Sequence, residues 1–243
     1  MQNPPPLGPP SLHVAGDMGL LVSFGDIYAP KINNAVLAFD RAFGETPRQG
    51  VIETVPTFRS LLIRFDPAEL SFEALTDQCQ TLLDRQDWYK APAPKGKSWV
   101  LPTVYGGARG DDIGEVADLL GLREDQVIDA HASAVLRVAM LGFSPGLAYL
   151  GQLPEIWDIP RKTEITPAAP AGAILVAVRQ TVLPCTEIPT GWRQIGQTPF
   201  RSFDLAGHPP FLLSPGDKLR FEPVPDSRFD QFLGQEALAE VTG

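Results

Sequence analysis

The 243-residue sequence carries 25 prolines, 22 glycines, 44% hydrophobic residues and a formal net charge of −9. Proline at about twice its usual ~5% shortens helices without emptying the core. The acidic balance excludes a nucleic-acid or anionic-membrane partner, and no run approaches the ~18 apolar residues of a membrane span. Residues 1–10 lack the charged and apolar regions of a secretory signal, and Cys79 and Cys185 are too few for a disulfide framework. A soluble cytoplasmic protein is the expectation.

Five prolines in the first ten residues predict a disordered leader over 1–11. Residues 18–24 read as a strand. Ile32, Ala35, Val36, Phe39 and Phe43 recur at helical spacing behind Pro30, a first-turn residue. Residues 51–55 and 60–65 are two further strands, and Ser71 caps a helix whose apolar face is Phe72, Leu75, Cys79 and Leu82. Residues 12–90 thus form a β-α-β-β-α layer. The polar, proline-containing stretch 89–97 is a linker.

A second domain spans 97–226. It opens with a strand over 99–105. The window between Thr103 and Ser144 has no proline and predicts helices, one from Asp112 to Gly121 and one bearing Val127, Ile128 and His131. After a strand over 135–141, thirteen prolines between Pro145 and Pro225 punctuate short apolar runs at 173–178, 201–205, 211–213 and 218–224. Such spacing predicts a barrel or sandwich. Residues 227–243 are expected to form a terminal helix.

Three motifs invite chemical readings. Gly142-Phe143-Ser144-Pro145-Gly146 matches G-x-S-x-G, but the residue after the serine must donate a backbone N–H to the oxyanion, and Pro145 has none. Gly106-Gly107-Ala108-Arg109-Gly110 lacks the Lys-Ser/Thr of a phosphate loop, and Asp111 and Asp112 would repel an anion there, so it reads as a turn. His131 shares a helix face with Val127 and Ile128. Periodicity favours a buried, hydrogen-bonded histidine over a general acid or base. His13 and His208 have no partners at zinc-ligand spacing, and Cys185 has no cationic neighbour in sequence to lower its pKa.

Several short motifs in order resemble one family. Leu141-Gly142-Phe143-Ser144-Pro145-Gly146-Leu147-Ala148-Tyr149-Leu150-Gly151 is similar to L-G-F-x-P-G-F-x-Y-L-G. Val55-Pro56-Thr57-Phe58-Arg59-Ser60-Leu61-Leu62 resembles V-P-x-x-R-S-L-L. Pro102-Thr103-Val104-Tyr105-Gly106-Gly107 resembles P-V-x-Y-G-G, and Val127-Ile128-Asp129-Ala130-His131 resembles V-I-x-x-H. Pro160-Arg161, Gln180-Thr181, Gly191-Trp192 and Pro215-Gly216-Asp217 follow in the same order. On these residues the chain resembles the KipI/PxpB family, which comprises the PxpB-type subunit of 5-oxoprolinase and allophanate hydrolase subunit 1, a carboxyltransferase-type domain.

The resemblance implies an α+β fold, with a ferredoxin-like N-terminal domain and a cyclophilin-like β-barrel. It implies a hydrolase subunit acting on a lactam or ureide C–N bond, dependent on ATP through the assembled complex and on a paired, PxpC-like second subunit. The alternatives within the family are a regulator that inhibits a histidine kinase and a non-catalytic scaffold. Within these motifs, side-chain chemistry makes His131, Arg161 and Gln180 the catalytic candidates, as proton shuttle or orienter, anion clamp and hydrogen-bond donor. Phe143, Pro145, Gly146, Tyr149 and Trp192 are the substrate-binding candidates, and no metal is expected. The chain departs from the family pattern at Thr166, in place of an arginine, and at Val182 and Thr190, in place of glycines.

Overall fold

The computed structural model describes residues 8–233. The chain divides into two compact units, Met1–Pro94 and Lys95–Gly243.

In the first unit the elements run β1 (Ser11–Val14), β2 (Gly19–Ser23), α1 (Pro30–Gly44), β3 (Val51–Pro56), β4 (Ser60–Phe65) and α2 (Phe72–Leu83), with a 3-10 turn at Trp88–Lys90. The sheet is antiparallel throughout, in the order β1-β2-β4-β3. Alternation puts Leu61, Ile63 and Phe65 of β4 in the core, where they meet Ile32, Ala35, Val36, Phe39 and Phe43 of α1. Pro30 occupies the first turn of α1, and the Ser71 hydroxyl accepts the Ala74 amide at 3.1 Å to cap α2. Two expectations change here. Ser11 opens an edge strand within the predicted leader, whose residues 1–7 lie outside the described residues. The β-α-β-β-α-β order of a ferredoxin-like domain is met only in part, because α2 is followed by a 3-10 turn and β1 takes the edge beside β2.

The second unit contains β5 (Ser98–Tyr105), α3 (Ile113–Leu120), α4 (Glu124–Ala132), β6 (Leu136–Leu141), β7 (Ala148–Gly151), β8 (Thr166–Ala169), β9 (Ala173–Ala177), β10 (Gln180–Leu183), β11 (Ile188–Thr190), β12 (Arg193–Gln197) and β13 (Lys218–Pro223). Seven strands close a barrel in the order β10-β7-β6-β13-β5-β12-β9, and β8 and β11 pair as a separate ribbon. β13 runs parallel to β5, from Lys218↔Ser98 to Pro223↔Thr103. The fold is therefore mixed α and β with a closed barrel, as the short punctuated strands predict. Gly121, at φ 65, ends α3 in the left-handed conformation, with the Leu122 amide returning to the Ala117 carbonyl at 3.0 Å.

β9 is apolar at every position because both of its faces are covered. Ile174 and Val176 join the main barrel core with Leu101, Val138, Leu150, Ile195 and Phe221. Ala173, Leu175 and Ala177 join a smaller cluster with Leu147, Val182, Ile188 and Trp192. Ile188 of this smaller cluster belongs to the β8–β11 ribbon, which thus seals the opposite face of the wall.

Two apolar runs do not become strands. Residues 201–205 and 211–213 meet only in the isolated bridge Phe203↔Phe211, since Gly207, Pro209 and Pro210 interrupt any ladder. In place of the expected terminal helix the chain has a 3-10 turn at Asp226–Phe232, and the rest of that prediction lies outside the described residues. Among the described residues no helix is long and apolar enough to cross a membrane.

Candidate functional site

The segment Leu141 to Gly151 links β6 to β7 through a tight turn. The Ser144 carbonyl accepts the Leu147 amide at 3.1 Å, with Pro145 second and Gly146, at φ 73, third. Those are the residues and the left-handed third position that a type II turn demands. A Cβ at Gly146 would also lie 2.4 Å from Cβ of Phe203. Pro145 and Gly146 therefore shape the turn, and neither lines the pocket beside it. The serine sits on a hairpin rather than a strand-to-helix elbow, and its hydroxyl is buried without a hydrogen-bond partner. Phe143, a residue 72% exposed, is held at φ 74, an uncommon backbone conformation for a bulky side chain.

A pocket of about 210 Å³ opens on the outer wall of the barrel, next to that turn. Tyr149 of β7 and Val182 of β10 are register partners within it. Trp192 forms one side, with its ring edge-on to Tyr149 at 6.5 Å, and Phe143 stands at the mouth. Arg161 lies over the Trp192 ring, its guanidinium carbon 5.2 Å from the centroid. Among the described residues Arg161 forms no ion pair with a carboxylate. Burial pushes the Tyr149 phenol up, and the neighbouring Arg161 charge pulls it partly back.

A second cavity of about 200 Å³ shares the walls Thr190 and Trp192 with the first. Lys162 reaches into it, its Nζ 2.7 Å from Asp112 Oδ1 and 3.4 Å from Thr166 Oγ1. Asp112 Oδ2 accepts the Gln194 amide at 2.8 Å, which fixes the carboxylate at the start of α3. The Lys162 amide donates to the Gly191 carbonyl at 2.6 Å, tying this segment to the loop that carries Trp192. Thr166 and Thr190, two of the three departures from the family pattern, are register partners across the β8–β11 ribbon. Sequence reading missed Lys162 and Asp112. The available signal was two consecutive cations, Arg161 and Lys162, in an otherwise acidic chain.

The remaining candidates lie elsewhere. His131 has no exposed surface and sits on α4 inside the barrel, between the Tyr105 hydroxyl at 2.7 Å from Nδ1 and the Thr181 hydroxyl at 3.0 Å from Nε2. The rings of Phe221 and Trp157 flank it, at 5.0 and 5.8 Å. Burial pushes its pKa down to about 3. A proton shuttle must reach the proton it moves, and a sealed, neutral ring does not, so the structure corrects its placement at the site. Gln180 begins β10, paired with Gly151 and Ala177. It shares a face with Val182 but lies two residues farther along, outside the pocket lining. The structure thus brings Phe143, Tyr149, Arg161 and Trp192 together, and leaves His131, Gln180, Pro145 and Gly146 outside.

The carboxyltransferase domain profile, subdomains C and D, matches residues 10–213. The chain is 31% identical over 228 residues to the B-type subunit of 5-oxoprolinase from Bacillus subtilis, covering 89% of this chain and 94% of that one. It therefore belongs to the carboxyltransferase-domain family that contains the PxpB/KipI proteins. A crystal structure of TTHA0988 superposes with a TM-score of 0.74 at 31% identity, over 85% of this chain but only 40% of the longer one. The urea carboxylase of Kluyveromyces lactis, at 17% identity, shares the fold, with a TM-score of 0.77 over 95% of this chain and 23% of its own.

Proposed function

We propose that the chain is a subunit of an ATP-dependent hydrolase that opens a small cyclic amide carrying a carboxylate, 5-oxoproline being the first candidate, together with a paired second subunit. The name of the Bacillus subtilis relative supports the substrate class and the need for other subunits. The observation that carries the reading is the Arg161 guanidinium, free of any carboxylate among the described residues, laid over Trp192 in a pocket of about 210 Å³. A fork of donors on an aromatic wall suits one planar carboxylate. Tyr149 and Phe143 supply the apolar sides that a five-membered ring requires. ATP enters through the assembled complex.

The test is turnover of 5-oxoproline by the chain combined with its second subunit, with and without ATP. ATP-dependent release of glutamate is expected. Arg161→Met should lower kcat/KM by roughly 10- to 150-fold, the range of a charge-assisted hydrogen bond of about 1.5–3 kcal/mol. Absence of turnover with 5-oxoproline and with other small lactams or ureides would overturn the proposal.

A further inference from the structure

Two short segments meet in antiparallel order beside the Arg161 pocket. The Lys162 amide donates to the Gly191 carbonyl at 2.6 Å, the Arg161 guanidinium lies over the Trp192 ring, and the Arg193 guanidinium donates through Nη1 to the Pro160 carbonyl. Arg161 is thus flanked on both sides by backbone groups that the opposite segment holds. Ile159 extends the anchorage, since its carbonyl accepts the Val178 amide at 2.8 Å. Arg193 is 6% exposed, and Glu115 of α3 orients it by accepting from Nη2 at 2.9 Å. Among the described residues its Nε is buried without a hydrogen-bond partner. A buried guanidinium with an idle donor is a costly way to hold a strand, and an apolar side chain of similar length would pack there at less cost. What the apolar chain would lack is the forked grip that joins Glu115 to Pro160.

We infer that Arg193 is a positioning residue for Arg161: it pins the backbone next to the anion clamp, so that the clamp already lies over Trp192 before a carboxylate arrives. The inference rests on the Arg161 pocket as the anion site of the proposed function. Arg193 lies outside the lining of that pocket and acts through its neighbour. Its contribution is preorganisation. With Pro160 and Lys162 both held, only the side-chain torsions of Arg161 remain to be ordered on binding. Glu115 shares the task, which ties the anion site to the first turn of α3.

The experiment reads two things. One is the indole N–H signal of Trp192 by nuclear magnetic resonance in the isotope-labelled full chain, assigned with Trp192→Phe. The other is KM and kcat for 5-oxoproline in the complex with the second subunit. Arg161→Met should shift the indole signal, because the cation leaves the ring. Arg193→Met should shift it the same way. The Trp88 and Trp99 signals and the melting temperature should stay near wild type, since Glu115 is half-exposed and remains hydrated when its partner is lost. In the complex Arg193→Met should raise KM roughly 3- to 30-fold, the coupling expected within one hydrogen-bond network, with kcat little changed. Added to Arg161→Met, it should have no further effect on KM. If Arg193→Met does not fold, Glu115→Ala, a change at a half-exposed helix position, decides by the same signal shift. A Trp192 signal indifferent to Arg161 or to Arg193, an unchanged KM, or losses that simply add in the double variant would overturn the positioning role. If no lactam is turned over but the two arginine variants shift Trp192 alike, the enzymatic reading fails and the positioning role stands. If 5-oxoproline is turned over and Arg193→Met changes neither signal nor KM, the positioning role fails and the enzymatic reading stands.

Discussion

His131 shows how one residue type answers to two different demands. Its helix-face spacing with Val127 and Ile128 already favours burial, and the structure supplies hydroxyl partners for both ring nitrogens. Hydroxyls can donate or accept, so they satisfy the ring in either protonation state, and it is burial, which disfavours the charged form, that keeps the imidazole neutral. The consequence is a pH dependence of stability. The unfolded chain takes up a proton near pH 6.5, whereas the folded ring does so only near 3. Its contribution is complete above about pH 6.5 and is lost as pH falls toward 3, by up to about 1.4 kcal/mol per pH unit. Urea unfolding of wild type and His131→Gln at pH 7, 5.5 and 4 checks this. The wild type should lose stability across the series faster than the variant, and parallel losses would remove the histidine as the cause. At the same scale, Arg161, Tyr149 and Trp192 were legible through family motifs. Lys162 and Asp112 were not, because 50 positions separate them and only the folded chain brings them to 2.7 Å.

Among the elements, helices were more legible than barrel strands. Fifteen residues of α1 and twelve of α2 display several turns of the 3.6 period. β7, β10 and β11 have three or four residues each, too few to display a period of two, and their order around the barrel depends on pairings remote in sequence. The β9–β10 connection is a two-residue turn with positive φ at both Val178 (44) and Arg179 (63). Asn-Gly is the usual choice there, and a β-branched residue is disfavoured. Hydrogen bonds from Val178 N to the Ile159 carbonyl and from Arg179 Nε to the Leu153 carbonyl hold the turn in place. Val178→Asn keeps that backbone bond and relieves the left-handed penalty of about 1–2 kcal/mol. It should raise the melting temperature by about 2–6 °C, whereas a lowered value would show that the valine side chain contributes more than the backbone loses.

For the whole molecule, the polar, proline-containing stretch 89–97 includes the division between Pro94 and Lys95. Limited trypsin digestion of the native chain should cut first after Lys95 or Lys97 and leave two fragments that resist further cleavage, as read by mass spectrometry; initial cuts within either unit would contradict a linker there. The parallel pairing of β5 with β13 has a different consequence, for the order of events on the ribosome. β13 lies between β5 and β6, although more than a hundred residues separate it from β5. Until residue 223 has been synthesised, β5 and β6 each present an unpaired edge, the kind of surface that pairs with other chains. Closure is a long-range, late step. The barrel half is therefore expected to depend on chaperones during synthesis, and a nascent chain stalled before Lys218 is the species most exposed to aggregation.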